Sequence, residues 1–128
     1  MTTYNSIHFE PPAPMAYVTL RNTVTGTSLQ DIPMLLDSGA DISLVPQIVV
    51  NQLGLTVTSN QGYELAGFDG STTIARAVHL ELIFCRHSFK GQFLLIGQAW
   101  GILGRNVLNA VSLVFDGPRL EWSEPKKE

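Results

Sequence analysis

The sequence predicts a mostly β domain with one or two short helices, and three observations lead there. A chain of 128 residues is long enough for one real core but not for two. Apolar residues make up 45% and charged residues 15%, a balance that favours a packed domain over a disordered one. From Thr56 onward valine, threonine, leucine and isoleucine dominate, interrupted by Gly62, Gly67, Gly70 and Gly91. That is the texture of short strands joined by tight turns.

The elements follow in order. Pro11, Pro12 and Pro14 cannot sit inside a helix or a central strand, so residues 1–14 read as an arm ahead of the domain. Met15 to Arg21 alternates as a strand, with Tyr17 and Thr19 on one face and Val18 and Leu20 on the other. Thr25-Gly26-Thr27 supplies a turn, and a second strand from Leu29 to Leu36 delivers Asp37. Ser43 to Gly54 reads as a short helix, with Pro46 in its first turn and Gly54 in the left-handed position past its end. Gln61 to Ala75 suggests two short strands around a glycine-bracketed tip, Gly67-Phe68-Asp69-Gly70. Asn106 to Ala110 is a candidate for a further short helix. Ser112 to Phe115 and Leu120 to Trp122 flank Asp116-Gly117-Pro118-Arg119 as a β-hairpin, which closes a domain of residues 15–122. The charged tail, residues 123–128, is expected to fray.

Composition excludes several function classes. A net charge of −3 offers no basic footprint for nucleic acid and no polybasic anchor for a membrane. The lone Cys85 makes neither an internal disulfide nor a cysteine-based metal site, and it reads as a small, partly buried apolar residue. His79 and His87, eight apart on what reads as one strand, lie too far apart to share a metal, and His8 has no partner in sequence. Neither a metal nor a cofactor is expected. Met1 to Glu10 lacks the basic and apolar regions of a signal peptide, and no apolar run is long enough to span a bilayer. A cytoplasmic location is the plain expectation. Trp100 and Trp122 read as core or interface residues, and Trp100, just before Gly101, is also a candidate wall of a substrate pocket.

The chemistry concentrates in Asp37-Ser38-Gly39-Ala40-Asp41, which follows directly on Met34-Leu35-Leu36. An apolar strand ending on an acid, a hydroxyl and a glycine suits a carboxylate at the floor of a cleft. Taken alone the run reads better as a turn with a capping aspartate. A second motif, Gly101-Ile102-Leu103-Gly104-Arg105-Asn106, tips the balance. Together the two resemble the retroviral-type aspartic proteases, the retropepsin-like family, over Met15 to Trp122. The helix-like Pro46 to Leu53 and the C-terminal hairpin look more like cellular single-domain members than viral ones.

The resemblance implies a closed barrel and an endopeptidase acting on extended polypeptide. It makes Asp37 the catalytic acid, with Ser38 and Gly39 shaping it. Ala40 and Asp41, with the flap tip Gly67, Phe68, Asp69 and Gly70, would contact substrate. Arg105 and Asn106 would support the loop, Arg105 through an ion pair with Asp41. No G-x-S-x-G elbow surrounds Ser38, so a nucleophilic serine is not expected.

Peptide hydrolysis without metal or nucleophile needs two carboxyl groups sharing one proton, one acting as base and the other as acid. Asp69-Gly70-Ser71 has the letters in the wrong order, and Asp116-Gly117-Pro118 lies in a turn. The second acid is therefore expected from Asp37 of another copy, in a symmetric homodimer. The competing reading is a non-catalytic peptide-binding or dimerisation module of the same fold. A self-processing element of a larger polyprotein is a further alternative.

Overall fold

The computed structural model describes residues 2–56, 63–66 and 72–126, with backbone only for 63–66 and 72–75. In chain order the elements begin with β1 (Thr2–Thr3), β2 (Met15–Arg21), β3 (Ser28–Leu36), β4 (Leu44–Pro46) and α1 (Gln47–Gln52). They continue with β5 (Tyr63–Ala66), β6 (Thr72–Ala75), β7 (Ala77–Phe84), β8 (His87–Ile96) and β9 (Gly101–Leu103). The chain ends with α2 (Arg105–Leu108), β10 (Val114–Asp116) and β11 (Glu121–Ser123).

Alternation builds the barrel. In β2, Ala16, Val18 and Leu20 are buried while Tyr17 is 53% exposed, so one side of the strand faces a core and the other faces out. Six strands close on that core in the order β2-β3-β9-β4-β8-β7. Closure leaves no edge among them. Inside lie Met34, Leu80, Leu82 and Leu103, each fully buried. The expected all-β closed barrel with two short helices is what the chain forms.

Two details of β2 and β3 show why the register holds. The pairing shifts between Val18 and Leu20, and Asp31 beside the shift adopts a positive φ of 58°. A bulge of this kind bends the ribbon so that the sheet can curl into a barrel. Buried Asn22 then ties the turn to α1. Its Nδ2 donates to the Leu53 carbonyl at 2.9 Å, and its Oδ1 accepts from the Val24 amide at 2.9 Å.

Three expectations need correcting. The segment from Ser43 to Pro46 is not helical: Leu44–Pro46 is a strand parallel to β8, and Pro46 caps α1 in an extended conformation (φ −63°, ψ 128°). Proline's fixed φ satisfies both roles, and the buried β-branched and leucine side chains beside it favour the sheet. Gly54 does take the left-handed position after the helix, at φ 67°. Next, His79 and His87 lie on two strands, β7 and β8, joined by the turn Cys85-Arg86. Both turn residues have positive φ (51° and 63°), the geometry of a two-residue hairpin loop, but neither is a residue type that announces one. Finally, α2 starts at Arg105, one residue before the expected Asn106, and ends at Leu108.

The ends of the chain fold against each other. β1 pairs with β11, which pairs with β10, in a three-stranded antiparallel sheet. Trp122, 7% exposed, packs toward Phe84 and donates from Nε1 to the Met15 carbonyl at 2.9 Å. Residues 2–14 thus run along the domain, through β1 and an isolated bridge between Asn5 and Ala13.

Candidate active site

β9 is the element that makes the site. It runs parallel to β3 (Met34↔Gly101 to Leu36↔Leu103) and antiparallel to β4 (Leu44↔Ile102). It therefore lies between the two strands that lead into and out of residues 37–43, and holds both. The Asp37 amide continues the ladder by donating to the Leu103 carbonyl at 3.1 Å. Asp37 is half-buried, whereas Ser38, Gly39 and Asp41 are exposed.

The loop then turns back on itself. Oδ1 of Asp37 accepts from the Gly39 amide at 3.0 Å, and the Ala40 amide donates to the Asp37 carbonyl at 3.2 Å. A Cβ on Gly39 would lie 3.1 Å from that same Oδ1, so a side chain would press on the carboxylate that the amide orients.

The motif after β9 clamps the loop from below. The Arg105 amide donates to the Ala40 carbonyl at 2.8 Å, and Arg105 Nη1 donates to the Ser38 carbonyl at 2.8 Å. Gly104 sits so close beneath that a Cβ there would meet the Ile42 carbonyl oxygen at 2.6 Å. The ion pair expected between Arg105 and Asp41 is not formed among the described residues. Both side chains are exposed, and the guanidinium spends itself on a backbone carbonyl instead.

Asn106 is joined to the loop through a residue that sequence reading missed. Fully buried Ser43 donates from Oγ to Asn106 Oδ1 at 2.7 Å and accepts from the Gly104 amide at 2.9 Å. The available signal was a lone hydroxyl inside the apolar run Ile42-Ser43-Leu44-Val45. A buried hydroxyl in such a run needs a partner, and Asn106 is a fitting one.

Strand alternation sets what faces the acid. Leu36 and Leu103 point into the barrel core, so Leu35, Ile102 and Asp37 share the opposite face. On that side a second, smaller apolar cluster gathers Leu44, Ala77 and Leu94, with Ile42, Ile96 and Ile102 partly buried against it. An acid at the margin of an apolar floor is the resulting chemistry. No group of histidines, cysteines and carboxylates able to hold a metal is present among the described residues.

No protein-family model matches the chain, and no curated protein does. Among solved structures it is similar to the EIAV protease complexed with the inhibitor HBY-793, with a TM-score of 0.60. The match covers 83% of this chain and 91% of that one at 22% identity. The fold is retropepsin-like. At that identity the likeness concerns the backbone, and the roles of individual residues rest on the geometry above.

The structure brings Asp37, Ser38, Gly39 and Ala40 together with Arg105, and joins Asn106 to the same loop through Ser43, while Asp41 stays exposed beside them. For the candidate flap, β5 and β6 pair antiparallel from Tyr63↔Ala75 to Ala66↔Thr72. Its tip, Gly67, Phe68, Asp69 and Gly70, lies outside the described residues.

Proposed function

We propose that this chain is an aspartic endopeptidase that cleaves extended polypeptide as a homodimer. The observation that carries the reading is the loop of Asp37: a half-buried acid, oriented by the Gly39 amide and clamped by Gly104 to Asn106 beside an apolar floor. A loop fixed at this many points keeps its carboxylate in one place, as a reaction needing two aligned acids demands.

In the dimer, Asp37 of each copy would share one proton. The ionised carboxyl takes a proton from water as it attacks the scissile carbonyl, and the protonated one donates to the carbonyl oxygen. Ser38 and Gly39 shape the pair. Substrate would lie as a strand over Leu35, Ile102 and their neighbours, with Ala40, Asp41 and the tip Gly67 to Gly70 contacting it, and main-chain hydrogen bonds would set its register. The region next to Ser38 supports a second copy there. A cavity of about 240 Å³ opens between Arg105, Leu108 and Phe115, and Val114 and Phe115 are 48% and 52% exposed beside it. The chemistry asks for no metal and no cofactor. The terminal hairpin and α1 favour a cellular-type member of the fold.

The deciding experiment is digestion of a denatured protein mixture from about pH 3 to about pH 8, a span that brackets the carboxyl pairs known for such dyads. Wild type and Asp37→Asn are compared at several protein concentrations. Cleavage that needs Asp37, and a specific activity that rises with concentration, are expected. A folded wild type that cleaves nothing but binds peptide would instead establish a non-catalytic peptide-binding module.

A further inference from the structure

Residues 5–13 form a strap closed on itself. The Asn5 amide donates to the Ala13 carbonyl at 2.8 Å, and the Ala13 amide returns a bond to the Asn5 carbonyl at 3.1 Å. Within the strap, Asn5 Oδ1 accepts from the amides of Ile7 and His8 at 3.0 and 2.9 Å, which curls the tip. Outside it, the Tyr4 amide donates to the Leu120 carbonyl at 2.8 Å and β1 joins the terminal sheet, so the strap is anchored at its base.

The tip has one destination. His8 stacks on Trp100 with ring centroids 5.4 Å apart and planes 28° from parallel, and Phe9 meets the same ring edge-on at 5.4 Å and 65°. Ile7 beside them is 88% exposed. Trp100 immediately precedes β9, two residues before Ile102. It ends the bend of residues 97–100 that delivers β9 and its Ile102, which packs on the apolar floor. The paired register begins at Met34↔Gly101, three residues or roughly 10 Å along β3 from the acid, and Trp100 stands just outside it.

We propose that the strap and Trp100 together form a fixed aromatic wall of the peptide-binding face, which accepts one large apolar side chain several residues from the scissile bond. This rests on the endopeptidase reading for its substrate class. Both strap ends are pinned and its two rings are already docked, so it acts as a standing wall rather than a removable plug. His8 and Phe9 are then positioning residues: they hold the indole, and the indole with Ile7 meets the substrate.

The test uses the full chain carrying Asp37→Asn, which binds without cleaving, and fluorescein-labelled peptides in pairs that differ by phenylalanine or serine at one position. Anisotropy titrations compare the intact strap with His8→Ala/Phe9→Ala. The intact strap should show a phenylalanine preference at one position distant from the acid. The double variant should lose it by about tenfold while serine peptides bind as before. Ile7→Ser, at a position 88% exposed, should weaken the same preference, and it serves if the double variant fails to fold. An unchanged preference, or an equal loss for both members of every pair, overturns the wall. The two readings separate cleanly. Cleavage by wild type with a strap-independent preference sinks the wall alone, strap-dependent binding without cleavage sinks the peptidase alone, and absence of peptide binding sinks both.

Discussion

Ser43 shows how much one buried hydroxyl can organise. It accepts from Gly104, donates to Asn106, and so joins the strand after the acid to the motif that clamps the acid loop. Ser43→Ala leaves the Gly104 amide buried without its acceptor. A loss of about 1–3 kcal/mol is expected, read as a lower urea midpoint with an unchanged slope. Asp41 behaves oppositely. Had it formed a buried pair with Arg105, breaking the pair would cost about 3–5 kcal/mol. It is exposed and unpaired with Arg105, so Asp41→Asn should change stability by less than about 0.5 kcal/mol in the same titration. Any loss of cleavage in that variant would then report contact with substrate.

The β7–β8 hairpin turns on two residues poorly suited to it. Cys85 and Arg86 both adopt positive φ, where side chains other than those of glycine and asparagine are strained. Cys85→Asn/Arg86→Gly should stabilise the protein by about 1 kcal/mol, visible as a higher thermal midpoint. The Cys85 thiol is pushed up to about 11, chiefly by burial and then by the neighbouring Glu124 carboxylate, so it stays protonated and alkylates slowly at neutral pH. On the facing strands, buried Glu81 accepts from Ser88 Oγ and from Arg21 Nη1 at 3.1 Å. The Ser88 hydroxyl first, and the Arg21 guanidinium second, hold its carboxyl below the ordinary value of 4.5. The folded state therefore binds that proton less well than the unfolded chain. The stabilisation is full above 4.5 and fades as pH falls below it through the lowered folded value. Glu81→Gln should flatten that part of the acid-unfolding profile, which a denaturant titration at stepped pH measures.

At the scale of the molecule, the barrel and the terminal sheet are joined by one side chain above all. Trp122 pairs with Thr2 through the backbone, packs toward Phe84 and bonds the Met15 carbonyl, so it links both ends of the chain to β2. Trp122→Phe should cost about 1–3 kcal/mol from the lost bond and the void left behind. If β10 and its exposed Val114 and Phe115 meet a second copy, the thermal midpoint should also rise with protein concentration.

Local rules carried most of the outline. The alternation of Met15 to Arg21, the acid after three apolar residues, Gly54 after a helix and the hairpin around Asp116-Gly117 were all legible, because neighbouring residues alone decide them. So was the pairing of the two motifs, although only through a resemblance. What no local pattern shows is contact between distant segments. Ser43–Pro46 reads as helix by proximity to α1, but pairing with β8 makes Leu44–Pro46 a strand. Cys85-Arg86 becomes a turn because two long strands demand one there. Arg105 leaves Asp41 for the Ser38 carbonyl because β9 brings that carbonyl within 2.8 Å. Residues 5–13 reach Trp100 because the terminal sheet anchors them nearby. Sequence by itself determined the fold class and singled out the two motifs that meet at the candidate site, since both follow from side-chain type and short-range order. Tertiary structure decided how those residues are held, since hydrogen-bond partners in this chain come from segments as remote as Met15 and Trp122, 107 positions apart.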